Sequence, residues 1–177
     1  RRSSDLPYTG QTSASALLSL GAKYCIIGHS EKRNLGEDDK MVASKVSMAV
    51  KAGLIPVVCV GHGTTVDEDD LAVTELIGSQ LTIVLSALAG LPELDLAKVV
   101  VAYEPVWAIG TGKSASPEHA ETIALFIKTK FKISTVLYGG SVNSHNAASY
   151  GQQPDVDGFL VGGASLLPAD FNAIINI

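Results

Sequence analysis

The sequence predicts an α/β fold organised on a parallel sheet, and three observations carry that prediction. Short apolar runs alternate with longer stretches whose apolar residues recur at helical spacing. The runs are apolar at almost every position, as strands covered on both faces are. Residues able to do chemistry, His29, Glu104, Ser141 and Gly162, each follow closely on such a run.

Residues 23–28 contain Tyr-Cys-Ile-Ile and form the first strand. Ser30 then stands where it caps a helix beginning Ser30-Glu31-Lys32-Arg33. Residues 38–52 place Val42, Val46, Ala49 and Val50 on one helical face, and Gly53 stops that helix. Residues 55–60 are the second strand. Residues 67–89 read as a long helix whose inward face holds Leu76, Ile77, Val84 and Leu88, ended by Gly90 and Pro92. Residues 99–103 are the third strand. Ser116-Pro117-Glu118 opens the next helix with a cap and a proline at the first position, and Ile123, Phe126, Ile127 and Phe131 make its apolar side. Residues 135–138 and 158–161 are the last two strands, with a short helix over 144–150 between them. Gly162-Gly163-Ala164-Ser165 leads into a helical turn, and 167–177 ends as a helix.

At 177 residues, 46% hydrophobic and 18% charged, the chain supports one substantial core and reads as a single domain over 1–177. A net charge of −5 with no basic stripe argues against a nucleic-acid partner. No apolar run reaches the roughly 18 residues a membrane span needs. Arg1-Arg2-Ser3-Ser4-Asp5 has no apolar region behind it and does not read as a signal peptide. Cys25 and Cys59 each lie inside an apolar run, as buried reduced thiols do, which favours a reducing, cytoplasmic compartment. Their spacing offers no metal signature, so no metal is expected.

The most informative segment is Ala102-Tyr103-Glu104-Pro105-Val106-Trp107-Ala108-Ile109-Gly110. It places a carboxylate at the end of an apolar strand, then a stiff Pro-Val-Trp stretch, then a pliable tip with Gly110 and Gly112 ahead of Lys113. Proline restricts the residue before it to extended geometry, and glycines let a tip take unusual dihedrals. A base on a rigid element beside a loop that swings shut suits chemistry that must exclude water.

This segment resembles the triosephosphate isomerase family. Three further stretches match in the family's order: Ile27-Gly28-His29-Ser30-Glu31-Lys32-Arg33, Leu137-Tyr138-Gly139-Gly140-Ser141-Val142-Asn143, and Asp157-Gly158-Phe159-Leu160-Val161-Gly162-Gly163-Ala164-Ser165. The resemblance runs from about Tyr8 to the C-terminus. It implies a (β/α)8 TIM barrel whose strand C-termini share one active face. It implies a cofactor-free glycolytic and gluconeogenic enzyme that interconverts dihydroxyacetone phosphate and glyceraldehyde 3-phosphate, and a homodimer in the full-length form. A glutamate base with a neutral histidine electrophile is the established chemistry of these isomerases. By this resemblance Glu104 is the base and His29 the electrophile. Glu31 is the second acidic residue, with a surface salt bridge as its alternative. Gly110, Ser141, Gly162 and Gly163 hold the substrate phosphate. Five strands match the barrel's strands 4–8, so an incomplete barrel is expected, with three strands preceding Arg1. The family's substrate-contacting lysine belongs to that missing part, and neither Lys23 nor Lys113 matches it.

Some positions depart from the family's wording. Gln11 stands where glutamate is usual, Lys32 where arginine is usual, and His62 where glutamate follows Cys-x-Gly. The first two touch on subunit packing and buried ion pairing, where Arg and Lys are not equivalent. His62 and His145 read as residues of the surface or of the site's surroundings. Two alternatives stay open. One is a truncated, non-catalytic derivative that pairs with a complementary fragment, since five open strands leave two unpaired edges. The other is another phosphate-binding barrel such as a sugar-phosphate epimerase, which leaves the Glu-Pro-Val-Trp lid unexplained.

Overall fold

The computed structural model describes residues 10–90, 98–108 and 114–177. Its centre is a five-stranded sheet in the order β1-β2-β3-β4-β5, parallel throughout. A short helix α1 (Ala14–Ser19) precedes β1 (Tyr24–Ile27). Then come α2 (Ser30–Asn34), α3 (Asp39–Ala52), β2 (Ile55–Val60), α4 (Asp70–Ser86) and β3 (Val100–Tyr103). A 3-10 turn over Val106–Ala108 is followed by α5 (Pro117–Phe131), β4 (Thr135–Tyr138), α6 (Ala147–Gly151) and β5 (Gly158–Phe159). The described chain closes with a second 3-10 turn, Gly163–Leu166, and α7 (Pro168–Ile175).

The helix boundaries have local causes. Asp38, Asp69 and Ser116 each accept a backbone N–H in the first turn of α3, α4 and α5. Asp69 therefore starts α4 later than the expected residue 67, and the helix ends at Ser86 rather than 89. Gly53 ends α3 in the left-handed conformation, φ 95°, a dihedral that L side chains rarely adopt. The short helix expected over 144–150 forms at Ala147–Gly151, and the last strand covers Gly158–Phe159 alone. Ser30 does not cap α2. His29 does, by accepting the Glu31 N–H on its own ring.

The two faces of the sheet differ. On the helix-covered face Ile27, Val58, Val60, Val101, Tyr103, Val136 and Tyr138 pack with Val42 and Val46 of α3, Ile77 and Leu81 of α4, and Ile123 and Ile127 of α5. On the other face Val57, Cys59 and Ala102 form a small cluster with Val100, Leu137 and Leu160 packed against it. Register sets Tyr24 opposite Ile55 and Ile26 opposite Val57, which brings Tyr24 and Ile26 to that second face. They are 58% and 55% exposed, against the expectation of strands buried on both sides. β1 is an edge strand with β2 as its one neighbour, and none of the described elements covers this end of the face. Cys25 is half-buried and Cys59 fully buried, and both are free thiols.

Ile123 is wholly buried in the larger cluster. Ile123→Ala should cost about 2–5 kcal/mol of stability through lost transfer energy and a residual cavity. Urea unfolding should show a lower midpoint with an unchanged slope.

Candidate active site

The C-terminal ends of β1, β2 and β3 converge on one carboxylate. Glu104 follows β3, and its backbone N–H donates to the Val60 carbonyl at 2.8 Å, which carries the β2–β3 pairing one residue past the strand. Pro105 restricts the Glu104 backbone to extended geometry, and its carbonyl accepts the Ala108 N–H at 2.8 Å. The Glu104 side chain is 2% exposed. Its Oε1 lies 3.1 Å from His29 Nε2. Its Oε2 accepts the Ser30 backbone N–H at 3.2 Å. The Cys59 thiol lies beside the same carboxylate, in the open-face cluster. Burial raises the Glu104 pKa, because desolvation disfavours the charged form. His29, the Ser30 N–H, Cys59 and Arg33 offset part of that rise.

His29 sits immediately after β1 and Gly28. Gly28 has φ 76°, and a Cβ there would lie 3.0 Å from both Val42 methyl groups, so a bulkier residue would push the strand end away from α3. His29 Nδ1 accepts the Glu31 N–H at 3.3 Å. With Nδ1 an acceptor, the one ring proton of a neutral imidazole sits on Nε2, facing Glu104. Glu31 meets His29 through its backbone; its side chain is exposed at the start of α2.

The motif reading left four supporting residues unassigned. Arg33 is 7% exposed and donates to the Gly28 carbonyl at 2.8 Å, to Asp39 Oδ1 at 2.7 Å and to the Cys59 carbonyl at 3.4 Å. It locks the ends of β1 and β2 to the start of α3. Gln80 accepts the Gly61 N–H at 2.9 Å and donates to the His62 carbonyl at 2.7 Å. Thr64 donates to the Gly61 carbonyl at 2.8 Å, and its hydroxyl accepts the Val106 N–H at 3.3 Å, bracing the chain just past Glu104. His119 accepts or donates at the Tyr103 hydroxyl, 2.7 Å away. Arg33 lay inside a matched stretch, so a signal for it existed. Gln80, Thr64 and His119 carried none, because Gln80 and His119 bond partners distant in sequence and Thr64 reaches the site through Val106, 42 residues on.

The remaining described candidates follow β4 and β5 at the same edge of the sheet. Gly139 follows β4, donates its N–H to the Tyr103 carbonyl at 2.7 Å, and leaves room for Glu104, whose Cγ would lie 3.0 Å from a Cβ at that position. Ser141 is half-buried two residues on, with its carbonyl accepting from Asn146 Nδ2 at 2.9 Å. Gly162 and Gly163 are exposed beyond β5, where a Cβ would meet nothing within 4 Å. Gly110 and Lys113 lie outside the described residues. His62 is half-buried beside the site, its pKa lowered by burial, while His145 is exposed. Among the described residues no cluster of His, Cys, Asp or Glu could hold a metal ion, and no helix is long and apolar enough to cross a membrane.

A buried carboxylate facing an imidazole at the carboxyl edge of a parallel sheet defines an α/β enzyme with its site at the strand ends. The comparisons with known proteins carry this further. A family profile described as triosephosphate isomerase matches residues 3–177. The triosephosphate isomerase of Thiobacillus denitrificans is 50% identical over 177 residues, which cover 94% of this chain and 69% of that protein. Those of Herminiimonas arsenicoxydans and Halorhodospira halophila are each 46% identical, over 178 and 180 residues, covering 95% and 96% of this chain and 70% of each relative. The chain belongs to the triosephosphate isomerase family, and its function is that of an isomerase. The family match displaces the epimerase alternative.

Because the folded-state pKa of Glu104 is raised above its unfolded value, its effect on stability has a defined sign. The folded state is favoured below the ordinary carboxylate pKa of about 4.3 and loses that advantage as pH rises through the folded value. Glu104→Gln removes this loss. Its melting temperature relative to wild type should therefore be higher at pH 7 than at pH 4, as differential scanning fluorimetry would read. Gly61 has φ 105°, and a Cβ there would stand 2.4 Å from the Glu104 carbonyl oxygen. Gly61→Ala should cost about 1–3 kcal/mol. Gly36→Ala, at φ 97° with nothing within 4 Å, should cost less in the same denaturant titration.

Proposed function

We propose that Glu104 is the base and His29 the electrophile of the isomerisation. The observation that carries this is the 3.1 Å approach of His29 Nε2 to the buried Glu104 Oε1. Glu104 removes a proton from the substrate carbon next to the carbonyl, and the C–H electron pair moves toward that carbonyl. His29 donates from Nε2 to the carbonyl oxygen as negative charge develops there. Return of the carbon-bound proton from Glu104 to the neighbouring carbon, with exchange of the hydroxyl proton through His29, completes the conversion of ketose to aldose. Burial favours this work, since a desolvated carboxylate is a stronger base than a solvated one. Both Glu104 oxygens are engaged by His29 and Ser30 here, so substrate must displace those contacts to be attacked.

Gly162, Gly163 and Ser141 are proposed to hold the phosphate. The opening N–H groups of a 3-10 or α turn have no acceptor inside their own turn and suit an anion. Gly110, in the lid segment, is proposed to join these residues in holding the phosphate, and Glu31 is proposed as a second acidic group beside His29. The cytoplasm and a homodimer are proposed as the setting of the full-length enzyme.

A second proposal concerns the sheet. β1 and β5 end the strand order, Tyr24 and Ile26 leave an apolar face uncovered, and the curated relatives extend about 30% beyond the part this chain matches. We infer that β1–β5 are strands 4–8 of a (β/α)8 barrel, closed by three further strands that also bring the substrate-contacting lysine. The intact mass of the natural protein tests this. Roughly 26 kDa fits a whole barrel, whereas 18.4 kDa would overturn it and favour a fragment-complementing or non-catalytic chain.

In the whole barrel, with the lysine-bearing segment present, Glu104→Gln should lower kcat by orders of magnitude with KM little changed, the pattern of a group that acts in the transition state. Near-normal kcat would remove Glu104 as base. The acid limb of the kcat/KM profile should lie above the ordinary carboxylate range, because burial raises the Glu104 pKa. Gly110→Pro should slow lid closure and divert the enediol phosphate to elimination, seen as methylglyoxal and free phosphate. Unchanged partitioning would sink the lid assignment.

A further inference from the structure

We propose that His119, anchored by Asp70, is a positioning residue for Glu104, acting through the Tyr103 hydroxyl. The inference rests on the reading of Glu104 as the base. Tyr103 is the last residue of β3 and the one before Glu104, and successive residues of an extended chain point to opposite sides. The Tyr103 ring is 1% exposed on the helix-covered face, and its Cε2 would lie 3.1 Å from a Cβ at Gly61. Any rotation of this residue about the chain therefore turns Glu104 as well.

Three hydrogen bonds hold Tyr103 and the peptide that follows it. Its carbonyl accepts the Gly139 N–H at 2.7 Å, and the next N–H, that of Glu104, donates to Val60 at 2.8 Å. The third is the side chain, whose hydroxyl lies 2.7 Å from His119 Nε2. On the far side of the ring, His119 Nδ1 is 2.5 Å from Asp70 Oδ1. A carboxylate accepts, so Nδ1 carries the proton, and in the neutral ring Nε2 accepts the Tyr103 hydroxyl proton. The resulting chain, Tyr103 O–H to His119 Nε2 and His119 Nδ1–H to Asp70, joins three elements at their site-facing ends. Asp70 opens α4, His119 lies in the first turn of α5 next to its cap Ser116, and Tyr103 closes β3. α5 begins just after the segment that follows Glu104 and Trp107. The His119 anchor thus ties the strand carrying the carboxylate to the helix at the far end of the lid segment.

A displacement of a reacting group by about 1 Å costs on the order of a hundredfold in rate. Tyr103→Phe and His119→Ala should each lower kcat ten- to a hundredfold with KM within about twofold. His119→Gln, whose amide oxygen can stand near the Nε2 position and accept the same hydroxyl, should recover most of the loss. The control is the double variant with Glu104→Gln. If His119 works by placing the carboxylate, adding His119→Ala to Glu104→Gln should lower kcat no further, because residues that act as a unit are non-additive. A 15N spectrum of His119 should show the proton on Nδ1. Two results would overturn the proposal: kcat of both Tyr103→Phe and His119→Ala within twofold of wild type, or an equal loss from His119→Ala in the Glu104→Gln background. In either case a severe Glu104→Gln defect would leave the base assignment standing. Near-normal kcat in Glu104→Gln alone would instead remove the base assignment, and the positioning role with it.

Discussion

Everything at the strand ends is arranged around an ionisable carboxylate kept out of water. Isolated burial of a carboxylate is costly, and the usual escape is protonation. Glu104 is held between those limits. Desolvation pushes its pKa up, while His29, the Ser30 N–H, Cys59 and Arg33 favour the charged form. The partners come from the turn after β1, from α2 and from β2, and the parallel register brings the strand ends side by side. The sheet is therefore the device that sets the basicity of one side chain. Arg33 shows how far the support reaches. It touches neither carboxylate oxygen, yet it binds the backbone on either side of the pocket and buries its charge against Asp39.

Rigidity at the site comes from small residues as much as from polar ones. Gly28, Gly61 and Gly139 each sit where a Cβ would meet Val42, the Glu104 carbonyl or the Glu104 side chain. The backbone can approach this closely because there is nothing to keep it away. Thr64 and Gln80 then hold the loop after β2 in place, and through the Val106 N–H that loop steadies the chain as it leaves Glu104. The carboxylate is thus fixed on both sides by neighbouring loops.

The strands were legible because their signal is local. Residues 55–60 and 135–138 are recovered as Ile55–Val60 and Thr135–Tyr138, since continuous apolar runs bounded by turn residues leave little else to form. Capped helices were nearly as clear, with Ser116 and Pro117 setting the start of α5 as expected. The capping of α2 was misread, because nothing in sequence tells that a histidine ring outcompetes the adjacent serine for the first-turn N–H. Coverage of β1 was misread for a different reason. An apolar strand looks the same whether its second face is filled or bare, and Tyr24 and Ile26 reveal the difference only in three dimensions. Glu104 and His29 stood out through their motifs, whereas His119 needed the packing of α4 and α5 against β3 to acquire a partner at each nitrogen.

The buried Cys59 thiol offers a way to watch this architecture open. It is inaccessible at the heart of the open-face cluster and rests against the site carboxylate, and burial together with that charge keeps it protonated. A thiol in this form does not react with alkylating reagents until the sheet around it separates. Cys25 on the edge strand is only half-buried. The two sulfurs thus act as clocks of unequal depth in one molecule. The edge clock runs with local fraying of β1, and the inner one runs only with the cooperative opening that dismantles the strand ends.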